Sequence, residues 1–370
     1  MMEVMMSQQL TCSILGLGLI GGSLAKAIHE RCPETKIKVY DIDLKTLQTA
    51  MEEGVAAESF SALSPALCQC DYLFLCAPVS INLQNLEALV PFLSGNTLIS
   101  DVGSVKMPIH QKIRQLGLED RFIGGHPMTG SERFGYFNAH ASLLENAYYV
   151  LTPEKKVSPK RVNAFQEFIQ KTGAIPYLLN VEDHDRATAA ISHVPHLLAS
   201  SLVNLVKDED DAQATLKALA AGGFKDITRI ASSSAGLWQQ ICLENREPIL
   251  HFLTRYIDQL TGLREKLSEN DSRFLYDFFE EARVYRESFP NTGSGPLQKQ
   301  YVLHLDIPDK TGAIANVAAL LASHSISIKN MGIVHHREYQ EGALRMELYS
   351  ASEYEKAVVI LKKYGYAVHQ

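Results

Sequence analysis

The 370-residue sequence lacks several marks of specialised protein classes. It has no excess of positive charge: 35 Lys and Arg face 42 Asp and Glu, a formal net charge of −7, so no basic stripe is available for phosphates and no nucleic-acid partner is expected. Its six cysteines form no CxxC pair and have no histidine at zinc-finger spacing, which argues against a disulfide framework and for reduced thiols in the cytoplasm. No run approaches the ~20 apolar residues that a membrane-spanning helix needs, so no membrane partner is expected. The opening MMEVMMSQQL has neither Lys or Arg nor a small-residue cleavage site and does not read as a secretory signal. Tryptophan occurs once, at Trp238.

What is present is ordinary globular material, 46% apolar and 21% charged, in a chain long enough for two or three folding units. Short apolar runs at Thr11–Leu15, Lys36–Tyr40, Tyr72–Cys76, Thr97–Asp101, Phe122–Gly125, Tyr148–Leu151 and Ala174–Leu178 alternate with helical stretches such as Gly21–Glu30, Leu44–Glu53 and Pro159–Lys171. That alternation predicts an α/β domain with a largely parallel sheet over residues 1–179. Residues 180–290 carry helical periodicity without strands and predict an all-helical domain that buries its apolar stripes on itself and on a second subunit. Residues 291–298 gather Pro, Gly, Ser and Asn into a linker, and residues 299–370 read as a compact βαββαβ unit.

Gly16-Leu-Gly18-Leu19-Ile20-Gly21 follows the first strand and opens a helix, the setting in which a GxGxxG pattern predicts a Rossmann-type dinucleotide site. Gly16 allows the tight turn, Gly18 lets backbone approach a pyrophosphate, Gly21 allows close helix packing, and the helix N–H groups face the phosphates. Asp41, at the end of the second strand, stands where an acid meets the adenosine ribose; its carboxylate repels a 2′-phosphate, so NAD is expected over NADP.

Three further polar segments, Asp101–Lys106, Gly124–Glu132 and Gly222–Arg229, hold residues that a core does not need, and the first two follow strands at the sheet's carboxyl edge. With GLGLIGGSLA, DVGSVK, GGHPMTGSE, the Asp183–His196 stretch and GGFKDITRIA followed by Trp238, the chain resembles the prephenate dehydrogenases. The resemblance implies oxidative decarboxylation of prephenate to 4-hydroxyphenylpyruvate with reduction of NAD. It implies His126 as the base that takes the C4 hydroxyl proton, with Ser104 holding the reacting geometry. Ser131 and Glu132 match positions beside the substrate, and His196 is a neutral contact to it. Arg229, with Lys225 and Asp226 one helical turn earlier, is the candidate cation for a dicarboxylate substrate. A metal on His193, His196, Asp183 and Asp185 is not expected. Trp238 fits either the core or the pocket wall. No chorismate mutase segment precedes the nucleotide domain, so a monofunctional enzyme is expected.

The region after the linker resembles an ACT domain, a small ferredoxin-like α+β fold that binds amino acids. Its loop Asp309-Lys-Thr-Gly312-Ala313-Ile314 places a glycine where strand gives way to helix, so that helix N–H groups can meet a carboxylate. The resemblance adds Asn330 on the next strand and implies L-tyrosine as an inhibitory effector. It also implies a homodimer built through the helical domain. The alternatives are an arogenate dehydrogenase and an amino-acid-responsive regulator without catalysis.

Overall fold

A computed structural model describes residues 9–130, 133–289, 301–308, 310–334 and 343–369. The chain divides into two compact units, residues 1–286 and 287–370.

The first unit opens β1 (Thr11–Leu15), α1 (Leu19–Arg31), β2 (Lys36–Tyr40), α2 (Leu44–Glu52), β3 (Glu58–Phe60), β4 (Tyr72–Leu75), α3 (Val79–Leu89), β5 (Leu98–Asp101) and α4 (Met107–Gln115). It continues β6 (Ile123–Pro127), β7 (Tyr148–Pro153), α5 (Pro159–Lys171) and β8 (Ile175–Leu178). Five parallel strands lie in the order β3-β2-β1-β4-β5, and Cys12, Ile14, Leu15, Phe74 and Leu75 are buried between helical layers, as strands covered on both faces must be. The chain reverses direction of winding at β1, so the crevice beyond its carboxyl end, flanked by β4, is where ligands of such sheets bind. The edge strand β3 is too short to show a period of two in the sequence.

One expectation needs correction, because the sheet is not parallel throughout. β6, β7 and β8 form a second sheet in which β6 and β7 run antiparallel, joined to β5 by the single bridge Ile99–Phe122. A parallel return is usually made through a crossover helix, whereas the described part of the β6–β7 connection has only the 3-10 turns Tyr136–Asn138 and Ala141–Leu143. Those turns pack on α1, where a Cβ on Gly22 would stand 2.8 Å from both Ala139 and Tyr136.

The helical remainder of this unit is α6 (Val181–Thr188), α7 (Val194–Asp208), α8 (Thr215–Leu219), α9 (Gly222–Thr228), α10 (Ala235–Glu244), α11 (Arg246–Ser268) and α12 (Ser272–Glu287). A π-helical turn, Ala189–His193, joins α6 to α7. Pro195 explains it: proline has no N–H and its ring crowds the carbonyl four residues back, so the helix widens there rather than running on as α. Val181–Asp208 has the length and mean hydropathy of a membrane-crossing helix, but it is no unbroken apolar run, because His193, Pro195, His196 and Asn204 interrupt it. Its polar side chains argue for a role inside this unit, because His184, Asp185, Thr188, His193 and His196 are all buried there.

The second unit comprises β9 (Tyr301–Asp306), α13 (Ala313–Ser323), β10 (Ile328–Val334), β11 (Ala343–Leu348), α14 (Ala351–Lys363) and β12 (Val368–His369). Its antiparallel sheet has the order β10-β11-β9-β12, and Leu303, Leu305, Leu344 and Met346 pack with Val317 and Leu321 of α13 and Leu361 of α14. Ser350 caps α14 by accepting from Glu353 N at 3.2 Å. The predicted linker, 291–298, lies outside the described residues.

Candidate active site

The glycine turn after β1 has the form a dinucleotide needs. Gly16 sits at φ +100°, and a Cβ there would lie 2.8 Å from Ala77 N; a Cβ on Gly21 would lie 2.0 Å from Gly16 O. Both positions therefore require glycine, one for conformation and one for packing. A Cβ on Gly18 meets nothing within 4 Å, and Gly18, Leu19 and Ile20 border a cavity of about 350 Å³. Asp41 accepts hydrogen bonds from Leu17 N (2.7 Å) and Asp43 N (2.9 Å), which aims its carboxylate beside the turn and leaves each oxygen a second lone pair for a ribose hydroxyl. These residues fit a dinucleotide.

A second cavity, of about 570 Å³, shares Ser104, Thr129, Gly130, Phe134, Leu237 and Ile241 with the first. Ser104, in the loop after β5, thus borders both spaces. The second cavity is walled by His126 from β6, by His193 and His196 around the π turn, by Arg229, and by Trp238 of α10. Trp238 is half-buried and stacks on His196 with ring centroids 3.4 Å apart and planes 16° apart, so it is pocket wall.

His126 is the end of a buried chain. Its Nδ1 lies 2.8 Å from His184 Nε2, and His184 Nδ1 lies 2.7 Å from Asp185 Oδ1. Asp185 also accepts from Lys106 N (2.8 Å) and Met107 N (2.9 Å). An ionised carboxylate only accepts, so His184 Nδ1 must carry the hydrogen and His184 Nε2 must be bare. His126 Nδ1 then donates to that bare nitrogen, and His126 Nε2 is left with a free lone pair. Burial first, then the neighbouring His184 and Lys106, hold the His126 pKa well below the ordinary histidine value. Burial likewise lowers His184, against the pull of Asp185. Burial would raise Asp185, but hydrogen bonds from His184 and the Lys106 and Met107 amides bring it below the usual carboxylate range.

The backbone of His126 is held as firmly. Asp101 Oδ1 accepts from Gly125 N at 3.1 Å, while the fully buried Lys106 donates Nζ to Gly125 O at 2.6 Å and pairs with Asp101 Oδ2. Both sides of the Gly125 residue are thus clamped before the chain reaches His126. Asn245 adds a bond to Asp185 O at 2.8 Å and one to His193 Nδ1 at 2.9 Å. His184, Asp185, Asp101 and Asn245 were absent from the site predicted from sequence. Their polarity amid helical and strand pattern was the available signal; their pairing across dozens of residues was not readable.

Other predicted residues divide. Arg229 lines the His126 cavity, but Lys225 is exposed and does not border it. The shared helical side expected for the two is a correction: α9 ends at Thr228, and Arg229 opens the 3-10 turn Arg229–Ser232. Ser131, Glu132 and Asp309 lie outside the described residues. Gly312 caps α13 at φ +84°, with Ala313 buried and Ile314 37% exposed behind it. Asn330 Oδ1 accepts from Met331 N at 2.8 Å. Among the described residues no three His, Cys, Asp or Glu side chains are grouped to hold a metal.

A glycine turn at the switch point of a doubly wound sheet, opening on a cavity that adjoins a base-bearing pocket, defines an NAD-dependent oxidoreductase, and the comparisons with known proteins agree. Residues 24–178 match the family description "Prephenate dehydrogenase, nucleotide-binding domain" and residues 180–281 match "Prephenate dehydrogenase, dimerization domain". The chain is 35% identical over 349 residues to a Bacillus subtilis prephenate dehydrogenase, covering 94% of each. It is similar to the crystal structure of A. aeolicus prephenate dehydrogenase in complex with hydroxyphenyl propionate and NAD+ (TM-score 0.71, 29% identity, 76% of this chain and 98% of that one). It is also similar to that of Synechocystis arogenate dehydrogenase (TM-score 0.68, 30% identity, 76% of this chain and all of that one). The chain belongs to the prephenate dehydrogenase family.

Proposed function

We propose that this protein converts prephenate to 4-hydroxyphenylpyruvate and carbon dioxide while reducing NAD. The observation that carries the reading is the chain Asp185–His184–His126, whose orientation leaves His126 Nε2 as an acceptor in the cavity next to the nucleotide space. NAD, bound at the glycine turn, would supply the acceptor for the hydride on the substrate's C4. His126 accepts the C4 hydroxyl proton as that hydride leaves, and returns it to the ring oxygen once the ring carboxylate has departed as carbon dioxide and the ring is aromatic. Imidazolium forming at His126 is countered through His184 by the Asp185 carboxylate. Ser104, bordering both cavities, is the residue that aligns the hydroxyl between base and acceptor. Arg229 supplies the cation for a substrate carboxylate, His196 and Trp238 form the wall, and Ser131 and Glu132 stand at the substrate's edge by family resemblance. Gly16, Gly18, Leu19, Ile20, Gly21 and Asp41 hold the dinucleotide. NADH formation with purified prephenate and with arogenate tests the substrate: faster turnover of prephenate is expected. Arogenate is the second reading, favoured by the likeness to the Synechocystis enzyme, and a higher kcat/KM with it would replace the first.

The functional division proposed is 1–179, 180–290, 291–298 and 299–370, with the enzyme working in the cytoplasm as a homodimer. Large apolar side chains on the helices, among them Leu219 (74% exposed), Leu243 (68%) and Phe279 (66%), support a covering second subunit. The C-terminal unit we read as a ferredoxin-like ACT domain that binds L-tyrosine through Asp309, Gly312, Ala313, Ile314 and Asn330. The strand order of that unit and the left-handed Gly312 support the reading. L-Tyrosine should inhibit the full-length enzyme, and Gly312→Val should remove that inhibition with the uninhibited kcat unchanged. Equal inhibition of both proteins would mean that tyrosine competes at the substrate cavity.

A further inference from the structure

Helix α10 closes the nucleotide-side cavity with one face, on which Leu237, Gln240, Ile241 and Glu244 follow at helical spacing. Leu237 and Ile241 are apolar. Gln240 and Glu244 form the polar remainder, with Gln240 Nε2 donating to Glu244 Oε1 at 2.8 Å. Among the described residues Glu244 has no other hydrogen-bond partner, so its second oxygen is an unfilled acceptor.

As a structural element this carboxylate is badly placed. It lies in the last turn of α10, one residue before Asn245, which ends that helix and starts α11, so the two helix dipoles oppose each other there and give the charge no net support. Burial pushes its pKa up, against the hydrogen bond from Gln240, and the negative Asp185 adds to the rise. A half-buried carboxylate that borders a ligand cavity with one oxygen unfilled points to a ligand donor.

The cavity's own layout says which donor. Gly18, Leu19 and Ile20 border it at the glycine turn, and Ser104 joins it to the His126 cavity. Hydride transfer requires the nicotinamide ring to lie between those limits, in the space that α10 covers. The ring carries a carboxamide, which has two N–H donors and one carbonyl acceptor, and a hydrogen-bonded Gln–Glu pair offers the complementary acceptor and donor.

We propose that Glu244, steadied by Gln240, accepts a hydrogen bond from the nicotinamide carboxamide and so fixes the rotation of the ring that receives the hydride. The inference rests on NAD as cofactor and is independent of which cyclohexadienyl substrate is used.

The test compares NAD with its 3-acetylpyridine analogue, which keeps the ring, ribose and pyrophosphate but carries a methyl ketone where NAD has the amide N–H2. Dissociation constants are measured by calorimetry on the full-length enzyme without substrate. The wild type should prefer NAD by about ten-fold, equivalent to about 1.4 kcal/mol. Glu244→Ala should bring the ratio of the two constants close to one by weakening NAD alone, and Glu244→Gln, which keeps an acceptor oxygen, should restore part of the preference. ADP-ribose affinity, unchanged in every variant, is the control for folding. A Glu244→Ala protein that retains the ten-fold preference overturns the proposal. So does one that weakens both dinucleotides equally, which would place Glu244 on the nicotinamide ribose.

Discussion

The walls of the His126 cavity are held in two different ways. On the strand side, His126 belongs to a buried array in which Asp101, Lys106, His184 and Asp185 fix both its backbone and its ring. On the helical side, Arg229 is exposed and begins a 3-10 turn beyond the end of α9. The difference fits the two tasks proposed for these residues. Proton transfer needs a ring held at one angle with one nitrogen bare, whereas a guanidinium that meets an incoming anion needs charge and reach.

Substitution on the strand side should therefore act on kcat, and on the helical side on KM. The largest effect is expected for His126→Asn, a fall in kcat of ~10² or more with little change in substrate affinity. An unchanged kcat would remove the ring from the chemistry. Arg229→Ala should raise KM about 30-fold, the equivalent of a lost charged hydrogen bond of about 2 kcal/mol. Lys225→Ala, outside the cavity, should leave KM where it is, and if the two variants behave alike the cavity boundary drawn at Arg229 is wrong. Asp185→Asn should cost roughly ten-fold in kcat, less than loss of His126, because the amide oxygen can still accept from His184 while the charge that supports the imidazolium is gone.

The smallest effect concerns stability against pH. His193 is held neutral, with its pKa pushed by burial down to about 4, and His126 and His184 are lowered too. The unfolded chain protonates these rings below about 6.5, so the unfolded state binds more protons and stability falls as pH drops from about 6.5 towards 4. His193 alone accounts for roughly 1 kcal/mol of this at pH 5.5. Urea unfolding followed by Trp238 fluorescence should show a lower midpoint at pH 5.5 than at pH 7.5. Equal midpoints would mean that the imidazoles titrate alike in both states.

Local signals were readable where one element carried them whole. β1 and β2 run from Thr11 to Leu15 and from Lys36 to Tyr40 as their apolar patterns predict, and Pro159–Lys171 is a helix opened by proline in its first turn. The glycine turn was readable for the same reason, since strand, turn and helix are adjacent in sequence. The Arg229 register was not, because helical periodicity does not reveal that α9 stops at Thr228 and passes into a tighter turn.

By itself, then, the sequence determined the glycine turn and its flanking strand and helix, and, through short motifs spread from Gly16 to Trp238, the family; each motif is made of residues within a few positions of one another. Tertiary structure alone decided which nitrogen of His126 is bare. That depends on Asp185 accepting from Lys106 and Met107, 79 and 78 positions away, and on His184 standing 58 positions from His126. A hydrogen-bond chain assigns protons only when all its members are in place, and only the packing of α6 beside β6 and the loop after β5 brings these members together.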